Sequence, residues 1–302
     1  MTHPLNLATV AIEARSRPVC LTPAQFADFA VKALVDEAEL TPKPGLVDRR
    51  GSGAHRDLDL AALLRSAESL RGTFATMAKI SLGRVSDRSL RERLAVVGRH
   101  GEQEMMGATG GSNSHRGAIW SLGLLIAGAV IDGTDGATAI AARAASIARH
   151  PDRFAPNPAS NGARVSARYG VPGARGEATA GFPHAVKIGL PVLRAGRGKG
   201  LTEDEARVEA LLAVMASLDD TCLLHRGGRV ALAAAKTGAR NVLAAGGVGA
   251  SAGRAELVKL ERRMLDLNAS PGGSADVLAA TLFLDRIEAV HAARPDVIPM
   301  RR

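Results

Sequence analysis

"AIWSLGLLIAGAVI", residues 118–131, is the longest apolar stretch in a chain of 302 residues. A membrane-spanning helix needs about 20 such residues. This run is shorter and lies mid-chain, so it reads as a helix buried on all sides. The fold class follows from what surrounds it. Hydrophobic residues make up 46% of the chain, a globular composition. Aromatics are only 3%, with one Trp and one Tyr. Ala and Leu carry most of the apolar content and favour helix, while the β-branched and aromatic residues that favour strands are sparse. No alternating strand run and no internal repeat appears. The expectation is an all-α fold: one compact multi-helix domain over 21–295, after a flexible segment over 1–20.

Helix signals recur on both sides of the apolar run. Thr22-Pro23-Ala24-Gln25 is a capping box with proline at the first helical position. Phe26, Phe29, Ala30, Ala33 and Leu34 form its apolar stripe. Asp57 is expected to cap a second helix, Ser86 a third, Asn113 or Ser114 the apolar helix, and Thr134 or Asp135 the next. Thr202 with Glu205 makes another capping box. Further helices fit 228–245, 254–267 and 275–292. The stretch 150–185 is rich in Pro, Gly, Asn and Arg and reads as a long irregular loop, which in a domain of this kind is usually functional.

The net charge is +9 and the pI about 10.3. A basic balance suits polyanionic partners. Nucleic acid is disfavoured, because the basic residues are dispersed and aromatics for base stacking are nearly absent. Two distant cysteines, Cys20 and Cys222, make neither a disulfide framework nor a zinc motif, which suits a cytoplasmic protein. The N-terminus lacks the apolar core of a signal peptide. No membrane association is expected.

Polar clusters fall at helix boundaries. In "ELTPKPGLVDRRGSGAHRDLD" (39–59) two prolines frame Lys43, which is placed to offer its ammonium to a phosphate. Just upstream, Glu37 falls on the apolar stripe, three turns beyond Phe26, and such a carboxylate needs a cation or metal. In "TGGSNSHRGAIW" (109–120), glycines precede Asn113, Ser114, His115 and Arg116 at a helix start, a setting suited to phosphate. Upstream, helix phase puts Glu104 near the stripe and Glu102 off it. "GARGEATAGFP" (173–183) carries Arg175 and Glu177 in the long loop. In "LDDTCLLHRGG" (218–228), phase from Val208 puts Asp219 on the inner face, and Asp219 with Asp220 supplies hard oxygen ligands for Mg²⁺. His225 and Arg226 follow. "NASPGGSADVLAATLFLD" (268–285) leads through Gly272, Gly273 and Ser274 into a helix with Asp276 in its first turn, an ordinary cap or a second phosphate or metal cradle. Together, carboxylates, Lys/Arg and helix N-termini describe a site for a Mg²⁺-bound polyphosphate.

"TPKPGLVD" with "GAHRDLD", then "GGSNSHRGAIWSLGLL", "GARGEATAGFP", "DDTCLLHRGG" and "SPGGSADVLAATLFLD" occur in this order. On these motifs the chain resembles the triphosphoribosyl-dephospho-CoA synthases over residues 25–290, most closely the branch serving malonate decarboxylase. The chain departs from the family pattern in small ways. Ser112-Asn113-Ser114-His115 stands where "GVNTH" is common, keeping the hydroxyl. Cys222 stands where "DTN" has its amide, and Leu58 where "GAHRDM" has Met.

The resemblance implies an all-α enzyme using ATP and 3′-dephospho-CoA as substrates. The acceptor ribose 2′-hydroxyl attacks C1′ of ATP, adenine leaves, and the triphosphate stays attached. The product, with its α linkage, is the prosthetic-group precursor of malonate decarboxylase or citrate lyase. A downstream phosphoribosyl-dephospho-CoA transferase and an acyl carrier subunit are then the implied partners. The reaction implies a carboxylate base, Mg²⁺ and cations for the triphosphate. On this reading Mg²⁺ falls to Asp219 and Asp220, with Glu37, Glu102 or Glu104. Lys43, Arg116, Arg175 and Arg226 hold phosphates, and Asn113, Glu177, Gly272, Gly273 and Ser274 line the nucleotide site. His55 or Asp57 is the base, with Asp48 alongside, and His115 contacts adenine or phosphate. A Mg²⁺-dependent ADP-ribosyl or nucleoside hydrolase is the runner-up, separated by whether adenine release needs the acceptor.

Overall fold

The computed structural model describes residues 21–132, 136–155 and 160–292. The expected flexible segment 1–20, Cys20 and the expected caps Thr134 and Asp135 lie outside the described residues. Among the described residues there is no strand, only an isolated bridge between Asp48 and Gly51. The chain is all-α.

Two helices form the axis of the core: α5 (Arg116–Ile131) and α13 (Gly272–Ala292), packed against each other. From Ala118 to Ala129 nearly every α5 residue is buried, as the apolar run predicts. No helix of the described chain is long and apolar enough to cross a membrane. Around this pair pack α1 (Pro23–Glu39), α3 (Arg71–Ser81), α6 (Ala137–Arg149) and α10 (Glu203–Ser217). The outer shell holds α2 (Leu60–Ser69), α4 (Arg88–Ala108), α9 (Leu190–Gly198), α11 (Thr221–Ala244) and α12 (Ser251–Asp266). The capping boxes at Thr22/Gln25 and Thr202/Glu205 both form.

Three expected caps shift. The α5 cap is His115 and not Asn113 or Ser114. The α2 cap is Asp59 and not Asp57, with Asp59 Oδ1 accepting from Ala62 N at 2.7 Å; the α4 cap is Asp87 and not Ser86. The last three helices also start earlier than expected. The stretch 150–185 is not one irregular loop. It holds α7 (Asn161–Tyr169) and α8 (Gly173–Thr179), and a π-helical turn (His184–Gly189) follows. Gly170 closes α7 in the left-handed region and Pro172 precedes α8. Segments this short carry too few turns to show a period.

Glycine is required at two bends that shape the site. Gly45 has φ +72°, and a Cβ there would overlap the Ala269 carbonyl, so 40–59 lies directly on the α12–α13 turn. Gly228 has φ 62° and ψ −156°, which breaks α11 after Arg226.

Candidate active site

The site begins where the N-termini of α5, α11 and α13 meet. Gly117, in the first turn of α5, packs so closely on Asp276 of α13 that a Cβ would overlap Asp276 Oδ2. Asp276 accepts a hydrogen bond from the Ala118 backbone. Burial, then Glu37, then Asp220, push the Asp276 carboxyl well above the usual carboxylate range. Acids on α1 and at the cap of α11 therefore bear on Asp276 electrostatically.

Asp220 is 1% exposed. It caps α11 through Cys222 N (2.8 Å) and Leu223 N (3.4 Å). It also caps α13 through Gly273 N (3.2 Å), Ser274 N (2.8 Å) and Ser274 Oγ (2.9 Å). Burial raises its pKa, opposed by these donors. A carboxylate offers about four lone-pair sites. Asp220 is saturated by protein donors and joins two helix starts. Gly273 is the partner that lets it approach, since a Cβ there would lie 2.8 Å from Asp220 Oδ1.

Asp219 does not lie on the inner face. It pairs with Lys236 at 2.5 Å and its side chain is 44% exposed. The helical phase from Val208 ends with α10 at Ser217, before reaching it. The Glu102/Glu104 expectation is also reversed. Glu102 is half-buried against Arg116, while Glu104 is exposed and accepts from Thr73 Oγ1 at 2.9 Å. The start of α5, invisible to the α4 phase, covers the Glu102 side.

In the segment 39–59, Lys43 turns inward, correcting the expectation that it offers its ammonium to a phosphate. Its Nζ reaches Glu37 Oε1 at 2.6 Å and the Glu37 carbonyl at 2.5 Å, with both side chains buried. A cation suits this last turn of α1. Asp48 is enclosed by Lys43 N at 3.0 Å, Arg50 N at 2.8 Å and the Arg50 guanidinium at 2.7 Å. Burial pushes its carboxyl up, but Arg50 and the backbone donors outweigh this and hold it below the usual range. Asp48 is therefore a weak base that shapes the loop.

His55 lies between Ser270 (Nε2 to Oγ, 2.9 Å) and Arg226 (Nδ1 to Nη2, 3.0 Å). Arginine only donates, so Nδ1 carries the lone pair and Nε2–H donates to Ser270. Burial and then Arg226 lower the His55 pKa to about 4. Asp57 lies 3.7 Å from Nδ1 with its side chain 56% exposed. His115 is buried, and its Nδ1 is 2.7 Å from Ser66 Oγ, which also contacts Ser114 Oγ at 2.6 Å. Burial and then Lys43 lower the His115 pKa to about 4. Both imidazoles are neutral near pH 7.

Of the other predicted residues, Asn113 Oδ1 accepts from Arg116 N at 3.3 Å and Arg175 is exposed at the start of α8. Arg226 also donates to the Ala54 carbonyl at 3.2 Å. Glu177 is buried and held by His184, through N at 2.8 Å and Nδ1 at 2.7 Å. Ser66 and Ser270 were missed. Ser270 stands inside the glycine-rich motif, whereas nothing near Ser66 marks it in the sequence.

An all-helical fold with arginines and opposed acids at three helix starts fits a transferase acting on phosphorylated substrates. The chain belongs to the family of CitG, ATP:dephospho-CoA triphosphoribosyl transferase, whose model matches residues 23–295. It is 55% identical over 263 residues to the 2-(5''-triphosphoribosyl)-3'-dephosphocoenzyme-A synthase of Klebsiella pneumoniae, covering 87% of this chain and 94% of that protein. It is 57% identical over 272 residues to the probable enzyme of the same name from Stutzerimonas stutzeri, covering 89% and 93%. No solved structure matches.

Proposed function

We propose that this chain transfers the 5-triphosphoribosyl group of ATP to the ribose 2′-hydroxyl of 3′-dephospho-CoA, releasing adenine. The observation that carries this is the family match across nearly the whole helical domain. In the reaction the C1′–N9 bond of ATP breaks and a C1′–O2′ bond forms. The hydroxyl proton passes to a base and adenine leaves with a proton. Inversion at C1′ follows from a single displacement.

Among the described residues, no three His, Cys, Asp or Glu side chains form a metal-binding group. Mg²⁺ often takes only one or two protein carboxylates and completes its shell with phosphate oxygens and water. Asp276 fits that pattern, with Glu37 adding the carboxylate oxygen that Lys43 does not take, whereas Asp220 is saturated and the half-exposed Asp219 is paired with Lys236. The proposed metal site is therefore Asp276 and Glu37. When bound, Mg²⁺ neutralises triphosphate charge. Among the base candidates, Asp57 keeps an exposed carboxylate, Asp48 is enclosed, and His55 has its lone pair on Arg226. Asp57 is the proposed base.

The product is proposed to pass to a phosphoribosyl-dephospho-CoA transferase and an acyl carrier subunit of malonate decarboxylase, within the cytoplasm. Incubation with ATP, Mg²⁺ and 3′-dephospho-CoA, followed by adenine release and product mass, tests the reading. Adenine release without the acceptor would instead mark a hydrolase, and no release at all would sink both.

A further inference from the structure

Among the described residues, two buried side-chain nitrogens make no hydrogen bond: Arg91 Nε and Arg116 Nε. Buried donors without partners are rare and costly, and each calls for an explanation such as an absent ion. The two lie on α4 and α5, which pack against each other. Arg91 stacks on the Trp120 ring, 4.7 Å from its centroid. Arg116 stands one turn before Trp120 on α5. Trp120 Nε1 donates to the Ala174 carbonyl at 3.2 Å, which brings the start of α8 and Arg175 to the same place.

The local charge is positive and under-neutralised. Burial depresses the Arg91 pKa, Asp152 opposes this, and Arg175 and Arg99 add to the depression. The neighbouring acids are already engaged. Asp152 binds Arg99 at 2.8 Å, and Glu92 binds Arg153 at 2.7 Å. Glu102 approaches Arg116 Nε at 3.0 Å as an ion pair without forming a hydrogen bond there.

We infer that Arg91, Arg116 and Arg175, arranged around Trp120, form a subsite for the polyphosphate chain of a nucleotide substrate. Phosphate oxygens accept from guanidinium groups in pairs, and one chain spans several arginines. Arg116 adjoins Gly117, which packs on Asp276, so a chain held here leads straight to the carboxylate centre. Arg91 and Trp120 thereby gain a substrate-binding role, and Arg91 explains an otherwise unsatisfied buried donor. The identity of the ligand rests on the transferase reading; the binding does not.

Trp120 is the sole tryptophan of the chain, so its fluorescence reports on this place alone. Inorganic triphosphate and 3′-dephospho-CoA, titrated separately, are read by Trp120 emission and by calorimetry. A saturating emission change with triphosphate assigns the subsite to the donor. A change with dephospho-CoA alone assigns it to the acceptor diphosphate. Arg91→Gln should weaken that binding at least about tenfold, the loss of one charge-assisted bond, with unchanged circular dichroism. Arg91→Lys should recover it only in part. Arg175→Gln, at an exposed position that folding does not need, should weaken it as well. Silence of Trp120 to both ligands, or wild-type affinity in both Arg91→Gln and Arg175→Gln, overturns the inference. Binding is read without turnover, so an active chain that fails here leaves the transferase reading standing.

Discussion

The segment 39–59 and the junction of α5 with α13 are both dense in charge, yet they use it in opposite ways. In the segment, Lys43 binds Glu37, Arg50 binds Asp48 and Glu261, and Arg49 binds Glu39. These paired charges cancel locally and fix the path of a helix-free stretch, leaving Asp57 as its exposed carboxylate. At the junction, Asp276 has only a backbone donor among the described residues, and acids on α1 and at the cap of α11 bear on it. Nearby, Arg116 Nε is ion-paired with Glu102 at 3.0 Å but makes no hydrogen bond. Charge density in a sequence does not tell which charges stay unmatched after folding; packing does.

The largest test of this contrast is Asp276→Asn against Asp220→Asn. Asp276→Asn removes an unmatched carboxylate, so turnover should fall about a thousandfold. Like-charge repulsion is relieved, so the thermal midpoint should not fall. Asp220→Asn should do the reverse. An amide nitrogen would face a backbone or hydroxyl donor at one of the two capped helix starts, destabilising by about 2–3 kcal/mol in denaturant titration. Turnover by the folded fraction should fall far less than in Asp276→Asn. Equal losses of turnover would erase the distinction between the two acids.

Next in size is Lys43→Met. It strands Glu37 as a buried, uncompensated carboxylate, with a cost of about 3–5 kcal/mol in urea unfolding. Adding Glu37→Gln should recover much of that loss, a coupling that a phosphate-binding lysine would not show. Full stability of Lys43→Met would return Lys43 to the role the sequence suggested.

How far the sequence led can be judged residue by residue. The buried nature of α5, the two capping boxes and the all-helical class were legible, because each depends on local spacing and composition. Glu37 was legible as an inward acid for the same reason. Asp219 was not, since its phase was carried past the end of α10. Lys43 was misplaced because its partner lies six residues back and only the folded turn brings the two together. The role of Asp220 needed the start of α13, more than fifty positions away. Ser66 and the pairing of Arg91 with Trp120 depend on helix packing that no local pattern encodes.

A subtler test uses pH. His55 faces Arg226, Asp57, Lys43 and Ser270; His115 faces Ser66 and Lys43. Both pKa values fall to about 4 in the folded chain from an ordinary 6.5. Between these values the unfolded chain binds the protons and the folded chain does not. Stability is therefore fully present above pH 6.5 and declines as pH falls toward about 4. Unfolding near pH 5 should take up about one proton per histidine, and His115→Gln should remove one of them. Calorimetry in buffers of different ionisation heat reads this directly. Uptake unchanged by His115→Gln would mean that His115 titrates alike in both states.

The smallest effect belongs to the exposed edge of the charged segment. Arg49 lies 3.4 Å from Glu39, with side chains 55% and 35% exposed. Solvent and salt screen such a pair, so Arg49→Ala should cost about 0–1 kcal/mol, less at high salt. Its main-chain N–H still reaches Thr41 Oγ1 at 3.2 Å, and that bond survives the substitution. Turnover should be unchanged. A large loss of turnover with stability intact would mean that Arg49, like the proposed base Asp57, meets substrate and is not spent on holding the loop.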